Sequence, residues 1–237
     1  MSSPSPQVSI IVVSYNTKSE TLACLASVAK ETPALAHELI VVDNNSPDGS
    51  AEAIAQACPG ARLHALKDNL GFARANNLAA LEARGEYLLL LNPDTVVLDR
   101  AIERLAAFAE NTPGAGIWGG RTLFGNLKLD PTSAWRRMTP WSLFCRASGL
   151  SAALPRSRFF NSEEMPDWDR SSEREVDIVT GCFLLIRREL WQRLGGFDPV
   201  FFMYGEEADL CLRARQMGAR PRITPTSTII HLGGASE

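Results

Sequence analysis

The stretch VSIIVVSYN, residues 8–16, decides the fold of this chain. It begins with a nearly continuous run of β-branched apolar residues from Val8 to Val13 and ends in Ser14, Tyr15 and Asn16. An apolar run without alternation is typical of a strand that is buried on both faces of a parallel sheet. The stretch therefore predicts a central strand followed by a polar loop.

The sequence after this strand predicts a helix, and the strand-helix scheme then repeats three more times. Thr17 and Glu20 have the spacing of a capping box, and Leu22, Leu25 and Val28 form one apolar stripe. The other three units are ELIVVDNNSPDGSAEAIAQAC (38–58), ARLHALKDNLGFARANNLAALEARG (61–85) and EYLLLLNPDTVVLDRAIERLAAFAEN (86–111). Repeated units of this kind predict an α/β fold with a Rossmann-like, mostly parallel sheet and helices on both faces.

Length and composition predict one soluble globular domain. The chain has 237 residues and no Gly/Ser-rich or Pro-rich linker, with residues 1–7 as a disordered tail and residues 8–237 as the domain. The formal net charge of -3 argues against nucleic acid as the main partner. Five scattered cysteines, the absence of a signal peptide and the absence of a long apolar run indicate a cytoplasmic protein.

Polar residues follow each of the four predicted strands. In sheets of this class, ligands bind beyond the carboxyl ends of the strands. Four polar loops at this edge of the sheet, which we call the rim, therefore favour a binding site there. The alternative is that Asn, Asp, Ser and Gly are only turn residues, which explains each loop singly. None of the loops has the glycine pattern of a dinucleotide or P-loop phosphate site. The loops are Ser14–Asn16, Asp43–Ser46, Asp68–Gly71 and Asn92–Asp94.

Among the residues of these loops, Asp94 is the strongest candidate for a metal ligand. The segment LLLLNPD leads a buried strand into a carboxylate, and Pro93 ends the strand ladder. Mg²⁺ prefers oxygen ligands, often one or two carboxylates with water and phosphate oxygens completing the shell. An aspartate after proline is also common in ordinary turns, so Asp94 alone is weak evidence for a metal.

A second acidic group, Glu206, Glu207 and Asp209, begins a predicted helix near the end of the chain. Acidic residues in the first turn complement the helix dipole, and Asp209 can pair with Arg213 one turn later. The alternative to this structural explanation is that one of these carboxylates takes part in catalysis.

The order and combination of these motifs resembles glycosyltransferase family 2, specifically its rhamnosyltransferase-like bacterial members. The resemblance covers residues 8–234 and implies a GT-A fold, a nucleotide-sugar donor, a divalent metal and inversion at the sugar carbon. It divides the domain into a nucleotide-binding half, 8–98, and an acceptor-side half, 99–237. The motifs are VSYN, VVDNNSPDGS, DNLGFARANNLA, LLLLNPDT, TGCFLLIRRELWQRLGGFDPVFFMYGEEADLCLRARQMG and IIHLGG.

The resemblance assigns roles to individual residues. Tyr15, Asp43 and Asn45 would line the pocket for the pyrimidine base and ribose, with Asp43 accepting from the ring N–H. The segment 68–77 would close over the ribose and diphosphate. The full set of expected substrate-binding residues is Ser14, Tyr15, Asn16, Asp43, Asn45, Asp68, Asn69, Gly71, Arg74, Asn76 and Asn92.

The resemblance also implies the catalytic and metal-binding residues. Asp94 stands at the last aspartate of the family's D-x-D motif, Asn92 replaces the first, and His231 matches a histidine that helps hold the metal or the diphosphate. Mg²⁺ or Mn²⁺ is the expected cofactor. Glu207 is the expected general base, with Glu206 as the reserve candidate, and Asp209 is a structural partner of the helix.

The sequence predicts less about the acceptor-side half of the chain. The stretch Pro131–Ser162 carries five arginines and five aromatic residues and no acidic residue. It is either a solvated loop or a segment facing a membrane or a lipid-linked acceptor. In the second case the enzyme would work peripherally at the inner face of the cytoplasmic membrane. The resemblance also implies further helices after His231 that complete acceptor binding, so we expect that part of the family's pattern to be missing from this sequence.

The expected donor is deoxythymidine diphosphate rhamnose, with a uridine diphosphate hexose or hexosamine as the runner-up, and the expected acceptor is a saccharide or a lipid-linked saccharide. The expected function is sugar transfer in bacterial cell-surface polysaccharide synthesis. Two other functions stay open at this point. One is a nucleotidyltransferase that makes a nucleotide sugar, and the other is a non-catalytic carbohydrate-binding protein.

Overall fold

The computed structural model describes residues 5–233, in which strands and helices alternate along the first half of the chain. The strands are β1 (Val8–Ser14), β2 (His37–Asp43), β3 (Arg62–Ala65), β4 (Tyr87–Leu91), β5 (Thr95–Val97), β6 (Ile117–Leu123), β7 (Leu129–Asp130), β8 (Ala134–Trp135), β9 (Arg174–Glu175), β10 (Ile178–Val179), β11 (Phe183–Arg187) and β12 (Arg222–His231). The helices are α1 (Lys18–Glu31), α2 (Ser50–Ala57), α3 (Gly71–Glu82), α4 (Ala101–Asn111), α5 (Pro140–Ala147), α6 (Leu150–Ala153), α7 (Arg188–Leu194) and α8 (Glu206–Gln216).

One large sheet organises the chain, with the strand order β3-β2-β1-β4-β11-β6-β12-β5. The strands β3, β2, β1 and β4 run parallel, and β6 and β12 are parallel to each other. Strand β11 lies antiparallel between β4 and β6, and β5 pairs antiparallel with β12. The carboxyl end of β4 therefore lies beside the first residue of β11, where Leu91 faces Phe183.

The apolar run that opens the sequence lies at the centre of this sheet. All seven residues of β1 are buried, and successive side chains pack on opposite faces of the sheet. Ile11 packs in a cluster with Ala75 of α3, while Ile10 packs in a cluster with Leu25 of α1. The predicted strand buried on both faces is confirmed, since a helix covers each side.

Two local predictions near the N-terminus are wrong in detail. The expected capping box does not form, because the Thr17 hydroxyl bonds the Ser14 and Thr21 hydroxyls at 3.2 and 3.1 Å instead of a backbone N–H. Gln7, placed in the expected disordered tail, donates its backbone N–H to the Ala36 carbonyl at 2.7 Å and so belongs to the folded domain. Residues 1–4 of that tail, and residues 234–237 of the expected domain, lie outside the described residues.

The stretch between β7 and β11 departs from the α/β scheme. It contains α5, α6, the short strand β9 and the small pair of strands β8 and β10. Arg170, which is 1% exposed, holds this stretch together by donating to the carbonyls of Pro131 and Trp168, among others. Within residues 5–233, no helix is long and apolar enough to cross a membrane.

Candidate active site

A cavity of about 300 Å³ opens at the carboxyl end of the parallel strands. Its walls come from the ends of β1, β2, β4 and β12, the start of α3, the turn before β11 and the start of α8. Eight of the expected site residues line it: Tyr15, Asn69, Gly71, Asn92, Asp94, Glu206, Glu207 and His231. Ten further residues complete the lining: Val13, Asn44, Phe72, Pro93, Thr180, Gly181, Cys182, Phe202, Met203 and Tyr204.

Asp94 and His231 meet on the floor of this cavity. Strand β4 ends at Leu91, and Asp94 follows Pro93 in the short link to β5, as the sequence predicted. His231 is the last residue of β12, which pairs with β5 so that His231 faces Thr95. As a result, His231 Nε2 lies 3.3 Å from Asp94 Oδ1, at ion-pair distance, and 3.4 Å from Asn92 Nδ2.

Asp130 is a second carboxylate beside the same imidazole, and sequence reasoning missed it. Its Oδ2 lies 3.9 Å from His231 Nδ1, while its Oδ1 accepts from the Thr132 backbone N–H at 2.9 Å. Burial alone lowers the pKa of His231, but the neighbouring carboxylates of Asp130 and Asp94 outweigh burial and raise that pKa to about 9. Without a metal, His231 is therefore an imidazolium between two carboxylates. The signal in the sequence was an aspartate that follows a short apolar segment and precedes a proline.

The donor set at Asp94 fits a hard divalent cation that also binds phosphate. Asp94 is 1% exposed, and its buried Oδ1 meets no hydrogen-bond donor but lies at ion-pair distance, 3.3 Å, from His231 Nε2, so a cation at this oxygen would have to share or replace that contact. Among the described residues, however, no group of three or more His, Cys, Asp or Glu side chains is arranged to hold a metal. Asp94 and His231 could supply only part of a coordination shell, so oxygens of a diphosphate and water would have to supply the rest.

Glu206 and Glu207 begin α8 and project into the opposite wall of the cavity. The helix starts directly after Gly205, whose φ of 97° lies in the left-handed region. Burial and the adjacent Glu207 charge raise the pKa of Glu206 to about 7, and burial also raises the pKa of Glu207. Glu206 is 4% exposed and has one carboxylate oxygen without a partner, whereas Glu207 is half-buried. Carboxylates with raised pKa values in a cavity are suited to accept a proton near neutral pH.

Asp209 has the structural role that the sequence predicted. Its Oδ2 accepts from Arg213 Nε at 2.7 Å, one turn along the same helix. Arg213 also donates to the carbonyls of Leu194 and Gly196, which ties α8 to the end of α7. Asp209 does not line the cavity, so the three acidic residues separate into one structural and two cavity-facing groups.

The loop before α8 forms a wall of the cavity by packing on the start of α3. Phe72 donates its backbone N–H to the Phe202 carbonyl at 2.8 Å. Gly71 has a φ of 77°, and a Cβ at this position would lie 2.4 Å from that carbonyl oxygen. The close approach of the two segments therefore requires glycine at position 71.

Asn44 links the second and third rim loops, and sequence reasoning did not single it out. Its Nδ2 donates to Asn69 Oδ1 at 2.7 Å, and its Oδ1 accepts from the Leu70 backbone N–H at 2.9 Å. The neighbouring Asp43 is buried and accepts from the Ser46 N–H through Oδ2 at 3.0 Å, while its Oδ1 has no partner. That oxygen is buried, and Asp43 does not line the cavity.

Seven expected substrate-binding residues do not line the cavity. Ser14 and Asn76 are buried with other partners, since Ser14 bonds the Thr17 and Thr21 hydroxyls and Asn76 Nδ2 donates to the Phe72 carbonyl. Arg74 is exposed and donates to the Pro199 carbonyl at 3.2 Å. The remaining four are the buried Asp43 and the exposed Asn16, Asn45 and Asp68.

The turn Thr180–Cys182 reaches the cavity because of the direction of the strand that follows it. Strand β11 runs antiparallel to β4, so the residues before β11 lie beside those that follow β4, and Asn92 donates its N–H to the Cys182 carbonyl at 3.0 Å. If β11 ran parallel to β4, this turn would lie at the opposite edge of the sheet.

Comparisons with known proteins agree with this geometry. Residues 9–195 match the family model described as glycosyl transferase family 2. The chain is 28% identical over 239 residues to the N-acetylglucosaminyl-diphospho-decaprenol L-rhamnosyltransferase of Mycobacterium tuberculosis, an alignment that covers 94% of this chain and 75% of the relative. It is also 28% identical over 170 residues to the rhamnosyltransferase WbbL of Escherichia coli, covering 68% of this chain and 60% of that protein.

A solved structure resembles almost the whole chain. The mannosyltransferase PcManGT from Pyrobaculum calidifontis, in complex with GDP-Man and Mn²⁺, superposes with a TM-score of 0.66 at 20% identity. The superposition covers 97% of this chain and 58% of that one. At this identity the likeness concerns the fold.

Proposed function

The chain belongs to glycosyl transferase family 2, and from that premise we propose that it moves a sugar from a nucleoside-diphosphate donor to a hydroxyl of a lipid-linked saccharide. The GT-A fold expected from the sequence is confirmed by the mannosyltransferase likeness, and the rhamnosyltransferase relatives support sugar transfer in polysaccharide synthesis. The observation that carries the proposal is one cavity with Asp94 and His231 on its floor and Glu206 and Glu207 in its wall.

The two groups of residues divide the chemistry of the proposed reaction. Glu207 takes the proton from the acceptor hydroxyl, the hydroxyl oxygen forms a bond to the anomeric carbon, and the bond from that carbon to the diphosphate breaks. The departing nucleoside diphosphate carries the electron pair away. Because the attacking oxygen and the leaving group lie on opposite faces of the sugar, the reaction inverts the anomeric configuration.

Asp94 and His231 act on the leaving group. When bound, Mg²⁺ or Mn²⁺ supplies positive charge that stabilises the diphosphate. Asp94 would hold that ion through its carboxylate, whose Oδ1 lies 3.3 Å from His231 Nε2, so the ion would share or replace that ion pair. Glu207 stays the proposed base and Glu206 the reserve candidate, since both line the cavity and both have raised pKa values.

The nucleotide half of the site is proposed from the first two rim loops. Tyr15 lines the cavity, and the unpartnered Oδ1 of the buried Asp43, which lies outside the cavity lining, is the proposed acceptor for the N–H of a pyrimidine base. Deoxythymidine diphosphate rhamnose is the proposed donor because two relatives are named rhamnosyltransferases. A uridine diphosphate hexose or hexosamine is the runner-up.

The acceptor is proposed from the Mycobacterium tuberculosis relative, an N-acetylglucosaminyl-diphospho-decaprenol L-rhamnosyltransferase. The test is a transfer assay with this acceptor and a panel of thymidine, uridine and guanosine diphosphate sugars, each with Mn²⁺ and with chelator. We expect rhamnose transfer, and we expect the NMR couplings of the product to show the inverted anomer. Retention of configuration would contradict the proposed mechanism.

The same assay separates the alternative functions. A nucleotidyltransferase would release pyrophosphate from a nucleoside triphosphate and a sugar phosphate, and a carbohydrate-binding protein would bind sugars without turnover. Either result, together with no transfer from any donor, would overturn the proposal.

A further inference from the structure

An exposed aromatic cluster lies on the α5 side of the molecule, away from the cavity lining. We call Trp141, Phe144, Phe159 and Phe160 the aromatic patch. The Trp141 ring lies 4.9–6.2 Å from the centres of the other three rings, and its Nε1 donates to the Phe159 carbonyl. Trp141, Phe144 and Phe159 are 40%, 56% and 63% exposed, so the rings pack on one another without being covered by the rest of the chain.

Trp141 is the one exposed tryptophan within residues 5–233. The other four tryptophans are buried or half-buried. Leu143 on α5 and Met138 just before it extend the apolar surface, with exposures of 50% and 60%. A contiguous exposed patch of this kind marks a binding surface more often than an isolated exposed residue does.

The charge around the patch points to the chemistry of the partner. The chain as a whole has a formal charge of -3, but residues 131–162 carry five arginines and no acidic residue. Arg146 and Arg158 pair with Glu163 and Asp167. The remaining three are exposed and make no ion pair with any residue of the described chain: Arg136, Arg137 and Arg156.

We propose that the aromatic patch and its arginines dock the protein on an anionic lipid surface. Aromatic rings of this size partition into the headgroup region of a bilayer, and unpaired arginines bind acidic headgroups. A second protein chain fits less well, because three unpaired arginines beside an apolar patch match a uniformly anionic surface and need no complementary pattern of acidic side chains.

The position of the patch relative to the cavity agrees with this inference. The segment that carries the patch begins at β8, which pairs with β10 directly before Thr180 of the cavity wall. Thr180 also donates its backbone N–H to the Ser133 carbonyl at 3.2 Å. The segment that carries the patch is therefore attached at its first strand to the wall of the cavity. The inference concerns lipid binding alone and does not depend on sugar transfer.

The test is flotation of the full chain with vesicles of phosphatidylcholine, with and without phosphatidylglycerol, in the absence of donor and metal. We expect binding to the phosphatidylglycerol vesicles only, with a loss of binding as the salt concentration rises from about 0.05 to about 0.5 M. We expect Arg136→Gln/Arg137→Gln to weaken binding about 10- to 30-fold. The charge-matched control is Arg193→Gln/Lys67→Gln, which changes two exposed cations outside the patch and should bind as the unchanged protein does.

Tryptophan fluorescence tests the aromatic part separately. We expect a blue shift when anionic vesicles are added, and we expect Trp141→Phe to remove that shift while keeping binding, because phenylalanine keeps an aromatic ring. Phe144→Gln should weaken binding, whereas Leu81→Ser, a change of an exposed leucine on α3, should not. Melting temperatures of the variants show whether each one folds.

Three outcomes would overturn the inference. The first is no binding, or equal binding to both kinds of vesicle. The second is that Arg136→Gln/Arg137→Gln binds as tightly as its control while both remain folded. The third is a dimer, detected by light scattering, that Phe144→Gln converts to a monomer, because that result would assign the patch to a second copy of the chain. Failure of the sugar-transfer assay would leave the vesicle result standing.

Discussion

Nε2 of His231 lies 3.3 Å from Oδ1 of Asp94, although 136 residues separate them in the chain. Strand β12 brings the two together by pairing with β5, which begins one residue after Asp94. Asp130 contacts the other ring nitrogen at 3.9 Å. The His231 imidazole thus lies between two buried carboxylates, of which Asp94 also lines the cavity.

Asp94→Ala should remove most of the gain in nucleoside diphosphate affinity that Mn²⁺ or Mg²⁺ provides. The physical reason is that the Asp94 carboxylate lines the cavity, where a cation bound to it could also bind the diphosphate. Calorimetry with thymidine diphosphate, with metal and with chelator, measures the effect. Asp99→Asn, a change in an exposed turn five residues further on, is the control and should keep the gain. Equal affinity of the unchanged protein with metal and with chelator would contradict the prediction.

Glu207→Gln should reduce the transfer rate by about 10²–10⁴-fold while donor affinity and melting temperature change little. Glutamine keeps the volume of the side chain but cannot accept the proton. If the acidic residues served only the helix dipole, the same change would cost about 0.3–1 kcal/mol of stability and leave turnover unchanged.

Glu206→Gln is the matched variant for the transfer experiment. A normal transfer rate in Glu207→Gln with a large loss in Glu206→Gln would show that Glu206, and not Glu207, is the general base. Normal rates in both would end the general-base hypothesis.

The free energy of unfolding should decrease as the pH rises from about 4.5 to about 7, because Glu206 has a raised pKa in the folded state. Burial and the Glu207 charge raise the folded-state pKa of Glu206 from 4.5 to about 7. Between these values the folded state binds more protons than the unfolded state, so each rise in pH favours unfolding. Glu206→Gln has no charge to bury, and its free energy of unfolding relative to the unchanged protein should therefore be higher at pH 8 than at pH 4.

Urea unfolding of both proteins at the two pH values measures this difference. Glu189→Gln, which changes an exposed acidic residue in the first turn of α7, is the control for a general loss of one negative charge. If the unfolding free energy of Glu206→Gln differs from that of the unchanged protein by the same amount at pH 4 and pH 8, the raised pKa of Glu206 is refuted.

Asp43→Asn should weaken thymidine diphosphate binding by about 1.5–3 kcal/mol and leave adenosine diphosphate binding unchanged. The unpartnered Oδ1 of Asp43 is the proposed acceptor for the pyrimidine N–H, and adenine has no N–H at the corresponding ring position. Asp48→Asn, in the same loop, changes a carboxylate that caps α2 through Ser50, and it should not alter base selectivity. An equal loss for both nucleotides in the Asp43 variant would show that this residue does not read the base.

Gly71→Ala should destabilise the protein by about 1–3 kcal/mol and also weaken donor binding. A methyl group at position 71 would overlap the Phe202 carbonyl, and the φ of 77° is unfavourable for alanine. Because Phe202, Met203 and Tyr204 line the cavity, displacing their loop changes its wall. Gly60→Ala is the control, since a Cβ there meets nothing within 4 Å. Equal unfolding free energies for the two variants would contradict the packing of this loop on α3.

The sequence by itself determined the strand-helix units and the acidic residue at the end of β4. An apolar run reports burial on both faces of a sheet, and a proline followed by aspartate reports where the ladder ends, because both effects act within a few residues of the chain. Asp209 with Arg213 was predictable for the same reason, since residues four apart on a helix are neighbours.

Only the tertiary structure decided which polar side chains face the cavity. Ser14 and Asn76 have the residue types of a binding site, yet each finds its partner within its own unit. Asp130, in contrast, reaches His231 from a distant segment, and the turn Thr180–Cys182 reaches the cavity from another. Those segments arrive because β11 inserts antiparallel between β4 and β6 and β12 pairs with β5. Strand order and direction depend on contacts between residues far apart in the chain, and no local period of the sequence records them.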